Sequence, residues 1–272
     1  MDRAPETGCG RSGALEYAWV CRTGPTRDGN EDDLGIVELA RGRLLAVVAD
    51  GMGGHNDGEV ASRLAVETVL ACDRDALSGP FSVATYDAVL AAVLVADERI
   101  GDLVTGVQHN PGCTVVVAVV DESAGVLHVH AGDCRLYQMR GGEVAYRTVD
   151  HSLAETAFRD GLITEDRMLV HPMAGVVTSC LGGDSDSQPE VEPRWLEGTD
   201  PGEQPAILSV PPGDVLLLCS DGVSGVAPRT TIANAAGASS NPAELVAALE
   251  ECVLGLGAPD NYTALAIRVR TE

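Results

Sequence analysis

Asp32-Asp33-Leu34-Gly35-Ile36-Val37-Glu38-Leu39-Ala40-Arg41-Gly42-Arg43-Leu44-Leu45-Ala46-Val47-Val48-Ala49-Asp50-Gly51 is the stretch on which the fold turns. Two apolar runs flank the turn Ala40 to Arg43, and each run has an aspartate at its far end. Paired antiparallel through that turn, the runs bring Asp32 and Asp50 side by side at the open end of a hairpin. The same grammar recurs. Cys113 to Val120 and Val126 to Ala131 flank the turn Asp121 to Gly125, and the second run ends in Gly132-Asp133. Val215 to Cys219 ends in Ser220-Asp221-Gly222, and Asp260-Asn261 precedes Tyr262 to Val269. Singly, each aspartate is an ordinary turn residue. Jointly, they predict a row of carboxylates at one sheet edge, which needs a positive partner because like charges at close range repel. An all-oxygen donor set favours magnesium or manganese over zinc.

Outside these hairpins, Gly58 to Cys72 and Pro80 to Val104 carry apolar residues at helical spacing. A short helix is expected over Leu153 to Asp160 and another over 242–254. Strands are expected at 113–120, 126–131, about 135–149, 215–219 and 262–269. Residues 1–13 read as a flexible leader, residues 14–272 as a single domain, and 183–213, rich in Pro, Gly, Asp and Glu, as a long surface connection. Hairpins interleaved with helices fit an α+β, four-layer α-β-β-α sandwich of two antiparallel sheets.

Composition narrows the function classes. The 272 residues carry a formal charge of −23, and all 18 basic residues are arginine. Such a chain is a poor partner for nucleic acid or an anionic membrane surface, so neither is expected. Its 8 cysteines contain no C-x-x-C pair, and several sit in apolar runs as small hydrophobes. A reduced, cytoplasmic monomer is therefore expected, with no membrane span.

The motifs Arg27-Asp28-Gly29-Asn30-Glu31-Asp32, Asp50-Gly51-Met52-Gly53-Gly54-His55, Gly112-Cys113-Thr114, Gly132-Asp133-Cys134-Arg135, Asp150-His151-Ser152, Ser220-Asp221-Gly222 and Asp260-Asn261-Tyr262-Thr263 resemble, in order and spacing, those of the bacterial PPM (type 2C) protein serine/threonine phosphatases. The resemblance runs from about Trp19 to Val269. It implies hydrolysis of phosphoserine and phosphothreonine proteins by a metal-bridging hydroxide, with two core Mn2+ or Mg2+ ions and room for a third. It further implies that Asp50 bridges the two core ions, with the Gly51 carbonyl as an added ligand. Asp221 and Asp260 would complete the first ion's site, and Glu31 and Asp32 would hold the second, partly through water. Asp133 would share the third ion with Asp221, and Arg27 would bind the substrate phosphate. Residues about 150–183 correspond to the flap beside the active site, although its end, Val176 to Gly182, lacks the arginines often found there. Met52 stands where some members carry a histidine thought to protonate the leaving group. A bacterial Ser/Thr kinase is the expected opponent.

Other readings compete. Cys21 to Arg27 matches the C-x5-R pattern of cysteine-dependent phosphatases, but acids and a strand follow it where that chemistry needs a helix N-terminus. Cys21 is therefore read as a strand residue. His128 and His130 share a strand face at zinc-compatible spacing but lack a third soft ligand. His55 and His151 are read as loop supports, and His109 and Arg135 as structural. A regulatory or scaffold module of the same fold, weakly active, is the alternative from outside enzymology.

Overall fold

The computed structural model describes residues 6–53, 56–103, 110–183, 188–194 and 206–271. In chain order the first half contains β1 Thr7–Ser12, β2 Leu15–Arg22, β3 Asp32–Ala40, β4 Arg43–Met52, α1 Asn56–Leu70, α2 Arg74–Ser78, α3 Val83–Gly101, β5 Gly112–Asp121 and β6 Gly125–Ala131. The second half contains β7 Arg135–Arg140, β8 Glu143–Arg147, α4 Leu153–Arg159, α5 Glu165–Met168, β9 Leu181–Gly182, β10 Ile207–Leu208, β11 Val215–Cys219, α6 Asp221–Ser224, α7 Arg229–Ala238, α8 Pro242–Gly255 and β12 Tyr262–Val269.

Side-chain alternation explains why the central strands read as unbroken apolar runs. Along β4, Leu44, Ala46 and Val48 enter one core, while Leu45, Val47 and Ala49 enter another. Residues of β5 divide the same way, with Val116, Ala118 and Val120 on one face and Val115, Val117 and Val119 on the other. Both faces of the strand are covered, so neither needs polar residues. One sheet has the order β10-β6-β5-β4-β3, with β9 added beside β5; the other has the order β1-β2-β12-β11-β7-β8. Leu216, Leu218, Leu265 and Ile267 of the second sheet meet the first across a shared core. Val69, Val89 and Val93 of α1 and α3 cover the first sheet's far face, and Ile232, Leu245 and Leu249 of α7 and α8 cover the second's. The four expected layers are present.

Three expectations need correction. Residues 1–13 are not a leader throughout, because Thr7–Ser12 pairs with Leu15–Val20 as an edge strand. Polar residues and glycines hid it; Trp19 and Tyr17 of β2 lie over Gly8 and Gly10, supplying the apolar cover that β1 lacks. The 183–213 segment is not simply a surface connection. Val191, Ala206, Leu208 and Val210 are buried, and Ile207–Leu208 pairs with β6. Last, α7 is absent from the sequence reading because Thr230, Thr231, Asn234 and Gly237 are poor helix formers; burial of Ile232, Ala233 and Ala236 overrides propensity.

Candidate active site

The first hairpin forms in the expected register, with Asp32 directly opposite Asp50. Asp133 follows β6, Asp221 begins α6 directly after β11, and Asp260 precedes β12. The carboxylates are close enough to act on one another. Asp50 lies in hydrogen-bond contact with Asp221, and it feels the charges of Asp32 and Asp133. Arg27 approaches from its loop, with Nη2 2.6 Å from Asp260 Oδ2.

Burial is severe. Asp32 is 1% exposed and Asp133 7%. Loss of water pushes Asp32 up to about 7, with further upward pressure from Asp221 and Asp260 offset by hydroxyl donors from Ser220 and Thr263. Burial, then Asp221 and Asp150, push Asp133 up to about 8, against the pull of Arg135. Asp50 is raised well above the carboxylate range by burial and its acidic neighbours, and Asp221 is raised too, again chiefly by burial. The cluster cannot ionise fully without added positive charge.

Local structure fixes the donors. Asp32 Oδ2 accepts from Ser220 Oγ and Thr263 Oγ1, both at 2.7 Å, which ties β3 to the ends of β11 and β12. Asn261 Oδ1 accepts from the Glu31 amide at 2.9 Å, while Nδ2 donates to the Thr23 and Gly29 carbonyls at 2.8 and 2.9 Å. This one amide shapes the loop carrying Arg27 and Glu31. Ser220, Asn261 and Thr263 belong to the quoted motifs, but nothing in the sequence assigned them these partners. Gly51 is required by space: a Cβ there would come within 2.0 Å of the Gly58 carbonyl oxygen and 2.8 Å of the Glu31 carbonyl oxygen.

The donors suit a hard divalent cation. They are carboxylates and a backbone carbonyl, and the raised proton affinity of Asp32, Asp50, Asp133 and Asp221 is the mark of a site short of positive charge. Among the described residues, no group of three or more His, Cys, Asp or Glu side chains is arranged so that it could hold a metal ion by itself. That is compatible with magnesium or manganese, since magnesium usually keeps several waters and takes only one or two carboxylates from a site.

Other candidates fall elsewhere. Cys21 is buried in β2, opposite Thr263, and accepts a contact from Asn30 Nδ2 at 3.2 Å; no helix begins at its loop. His128 packs near Tyr146, with ring centroids 5.3 Å apart. His151 Nδ1 accepts from the Gly132 amide at 3.2 Å, and burial, with help from His130, pushes its pKa down to about 4. It supports the Asp133 loop. Arg135 is buried in an ion pair with Asp150, its Nε 2.8 Å from Oδ1. Met52 is half-buried at the end of β4. His55 and His109 lie outside the described residues.

Residues 26–254 match the family model described as protein phosphatase 2C. The chain belongs to the protein phosphatase 2C family. Its activity class is that of a protein serine/threonine phosphatase, and the family is metal-dependent. Over 256 residues it is 33% identical to the serine/threonine protein phosphatase PstP of Mycobacterium tuberculosis, covering 94% of this chain and 45% of that protein. The chain thus spans under half the length of that relative. It superposes on the PPM Ser-Thr phosphatase MsPP of Mycobacterium smegmatis, solved with cacodylate, with a TM-score of 0.73 and 30% identity, covering 93% and 97% of the two chains. A crystal structure of the PstP catalytic domain in complex with 2 manganese ions gives a TM-score of 0.72 at 30% identity, covering 94% and 99%.

Proposed function

We propose that the phosphatase hydrolyses phosphoserine and phosphothreonine in cytoplasmic proteins, using Mn2+ or Mg2+ at the carboxylate edge and opposing a Ser/Thr kinase. The observation that carries this reading is the register pair Asp32–Asp50, joined at one edge by Asp133, Asp221 and Asp260. Asp50, with the Gly51 carbonyl, would stand between two ions; Asp221 and Asp260 would complete the first site, and Glu31 and Asp32 the second. Asp133 and Asp221 would take a third. When bound, such ions activate a water at neutral pH and neutralise charge on the phosphoryl oxygens.

The chain's own groups do the rest. Ser220 and Thr263 hold one oxygen of Asp32 and so fix the direction in which the other faces. Arg27, half-exposed at the rim, is disposed to exchange its contact with Asp260 for a substrate phosphate, to which a guanidinium can donate two parallel hydrogen bonds. Met52 offers no proton, so the leaving serine oxygen takes its proton from water. The weakly active regulatory module is disfavoured by the presence of every carboxylate the motif calls for. No helix of the described residues is long and apolar enough to cross a membrane, and the protein is proposed to act as a monomer.

Hydrolysis of a phosphothreonine peptide tests the reading. Activity should require manganese or magnesium, vanish with EDTA, return on adding metal, and survive thiol alkylation. Full activity in EDTA, or complete loss on alkylation with metal retained, would refute it.

A further inference from the structure

His130 has no part in the chemistry above, yet it sits where the flap leaves the sheet and where the chain returns. It lies on β6 and is fully buried. Its Nε2 is 2.7 Å from the Val149 carbonyl oxygen, the last residue before the flap. Its Nδ1 is 2.9 Å from the Glu192 carbonyl oxygen on the returning chain. The backbones of His130 and Glu192 also pair in both directions, at 2.6 and 2.9 Å.

Carbonyl oxygens only accept, so both ring contacts are hydrogen bonds only if both nitrogens donate, as in the imidazolium. A neutral ring can satisfy one end and must loosen the other. Burial works against the charged form and pulls His130 below the usual histidine range; the two carbonyls, with Asp150 and Glu192, pull the other way. The charged or titratable groups around the ring are Asp150 and His151 from the flap's start and Glu192 from its return, with the His151 ring stacked at 4.8 Å.

Neighbouring contacts stiffen the same two ends. Arg135 grips Asp150, and Arg147 Nη2 grips Glu155 Oε2 at 2.8 Å. The Thr178 amide donates to the His151 carbonyl at 2.7 Å, and the Glu190 amide to Ser179 Oγ at 2.8 Å. Between these ends, the flap supplies Met168, Leu169 and Ala174 to a cavity of ≈ 180 Å³ whose opposite wall includes Asp133, Asp221 and Asp260. Moving the flap would alter the wall that a polypeptide meets, while the Asp32–Asp50 pair is held separately by the pairing of β3 with β4.

We infer that His130 is a positioning residue for phosphoprotein substrates: one imidazole joins Val149, where the flap leaves the sheet, to Glu192 on the chain that follows the flap, and so fixes the flap beside the carboxylate cluster. The inference rests on the phosphatase reading of that cluster.

The test uses the manganese-loaded full chain, a phosphothreonine peptide and p-nitrophenyl phosphate, which lacks the polypeptide that flanks the phosphate in a protein substrate. His130→Phe keeps the ring volume and removes both donors. KM for the peptide should rise about tenfold, from losing the ring's buried hydrogen bond, while kcat/KM for the aryl phosphate stays within about twofold. His130→Gln, which keeps one donor group, should fall between the two and serves alone if the Phe variant does not fold. Amide exchange at Leu153 and Thr178 should quicken in both variants. Equal losses on both substrates, or unchanged peptide kinetics in a folded variant, would overturn the inference. Wild-type protein inactive on both substrates would instead overturn the phosphatase reading.

Discussion

Asp50→Asn should move stability and activity in opposite directions. In the metal-free protein Asp50 sits among Asp32, Asp133 and Asp221, and its affinity for a proton is raised well above the carboxylate range. Two unit charges about 4 Å apart repel by about 4 kcal/mol at an effective dielectric near 20. Protons held within the cluster relieve most of this at neutral pH, leaving about 1–2 kcal/mol for a neutral amide to recover, or about 2–6 °C in melting temperature for a domain of this size. With manganese the order should reverse. Wild type at about 100 times its Kd gains about 2.7 kcal/mol from binding, whereas the variant has lost the charge between two cations and should gain almost nothing. Turnover should fall by about 1,000-fold or more. Thermal melts with EDTA and with manganese, run beside phosphopeptide kinetics, measure all three. The reasoning fails if the metal-free variant melts several degrees below wild type, or if it keeps the wild-type manganese shift.

Arg27→Ala should raise KM for phosphopeptide by about 10- to 100-fold, with metal affinity nearly unchanged, because a charged hydrogen bond contributes about 1.5–3 kcal/mol; an unaltered KM would make it a rim arginine paired with Asp260 and nothing more. Asp133→Ala should leave two ions bound by calorimetry yet slow phosphoprotein turnover, and loss of the core pair would overturn its outer position. Metal affinity should climb as pH rises through 7 to 8, with protons released on binding, since Asp32 and Asp133 hold protons to about 7 and about 8. The sign for the metal-free protein is opposite. Its folded state binds more protons than the unfolded chain between about pH 4 and 8, so its stability should fall across that window as pH rises. Calorimetry in two buffers of different ionisation heat, with melts at several pH values, checks both.

Local sequence was enough wherever short range decides geometry. The turn Ala40 to Arg43 brings the two runs together, and a one-residue irregularity between Glu38 and Ala40 then sets Asp32 opposite Asp50 rather than opposite Gly51. Hairpins interleaved with helices announced two antiparallel sheets with helices outside, and hence stacked layers. What the sequence could not contain was long-range choice. Whether Thr7–Ser12 is a tail or a strand depends on Trp19 and Tyr17 covering its glycines, and α7 depends on burial that propensity does not foresee. Asn261 holding the Glu31 loop, Ser220 and Thr263 sharing Asp32, and His130 spanning Val149 and Glu192 join residues from 19 to 232 positions apart. Sequence by itself determined which carboxylates reach the edge; only tertiary packing decided how they are aimed, because buried hydrogen bonds select their partners after distant strands have met and water has been excluded.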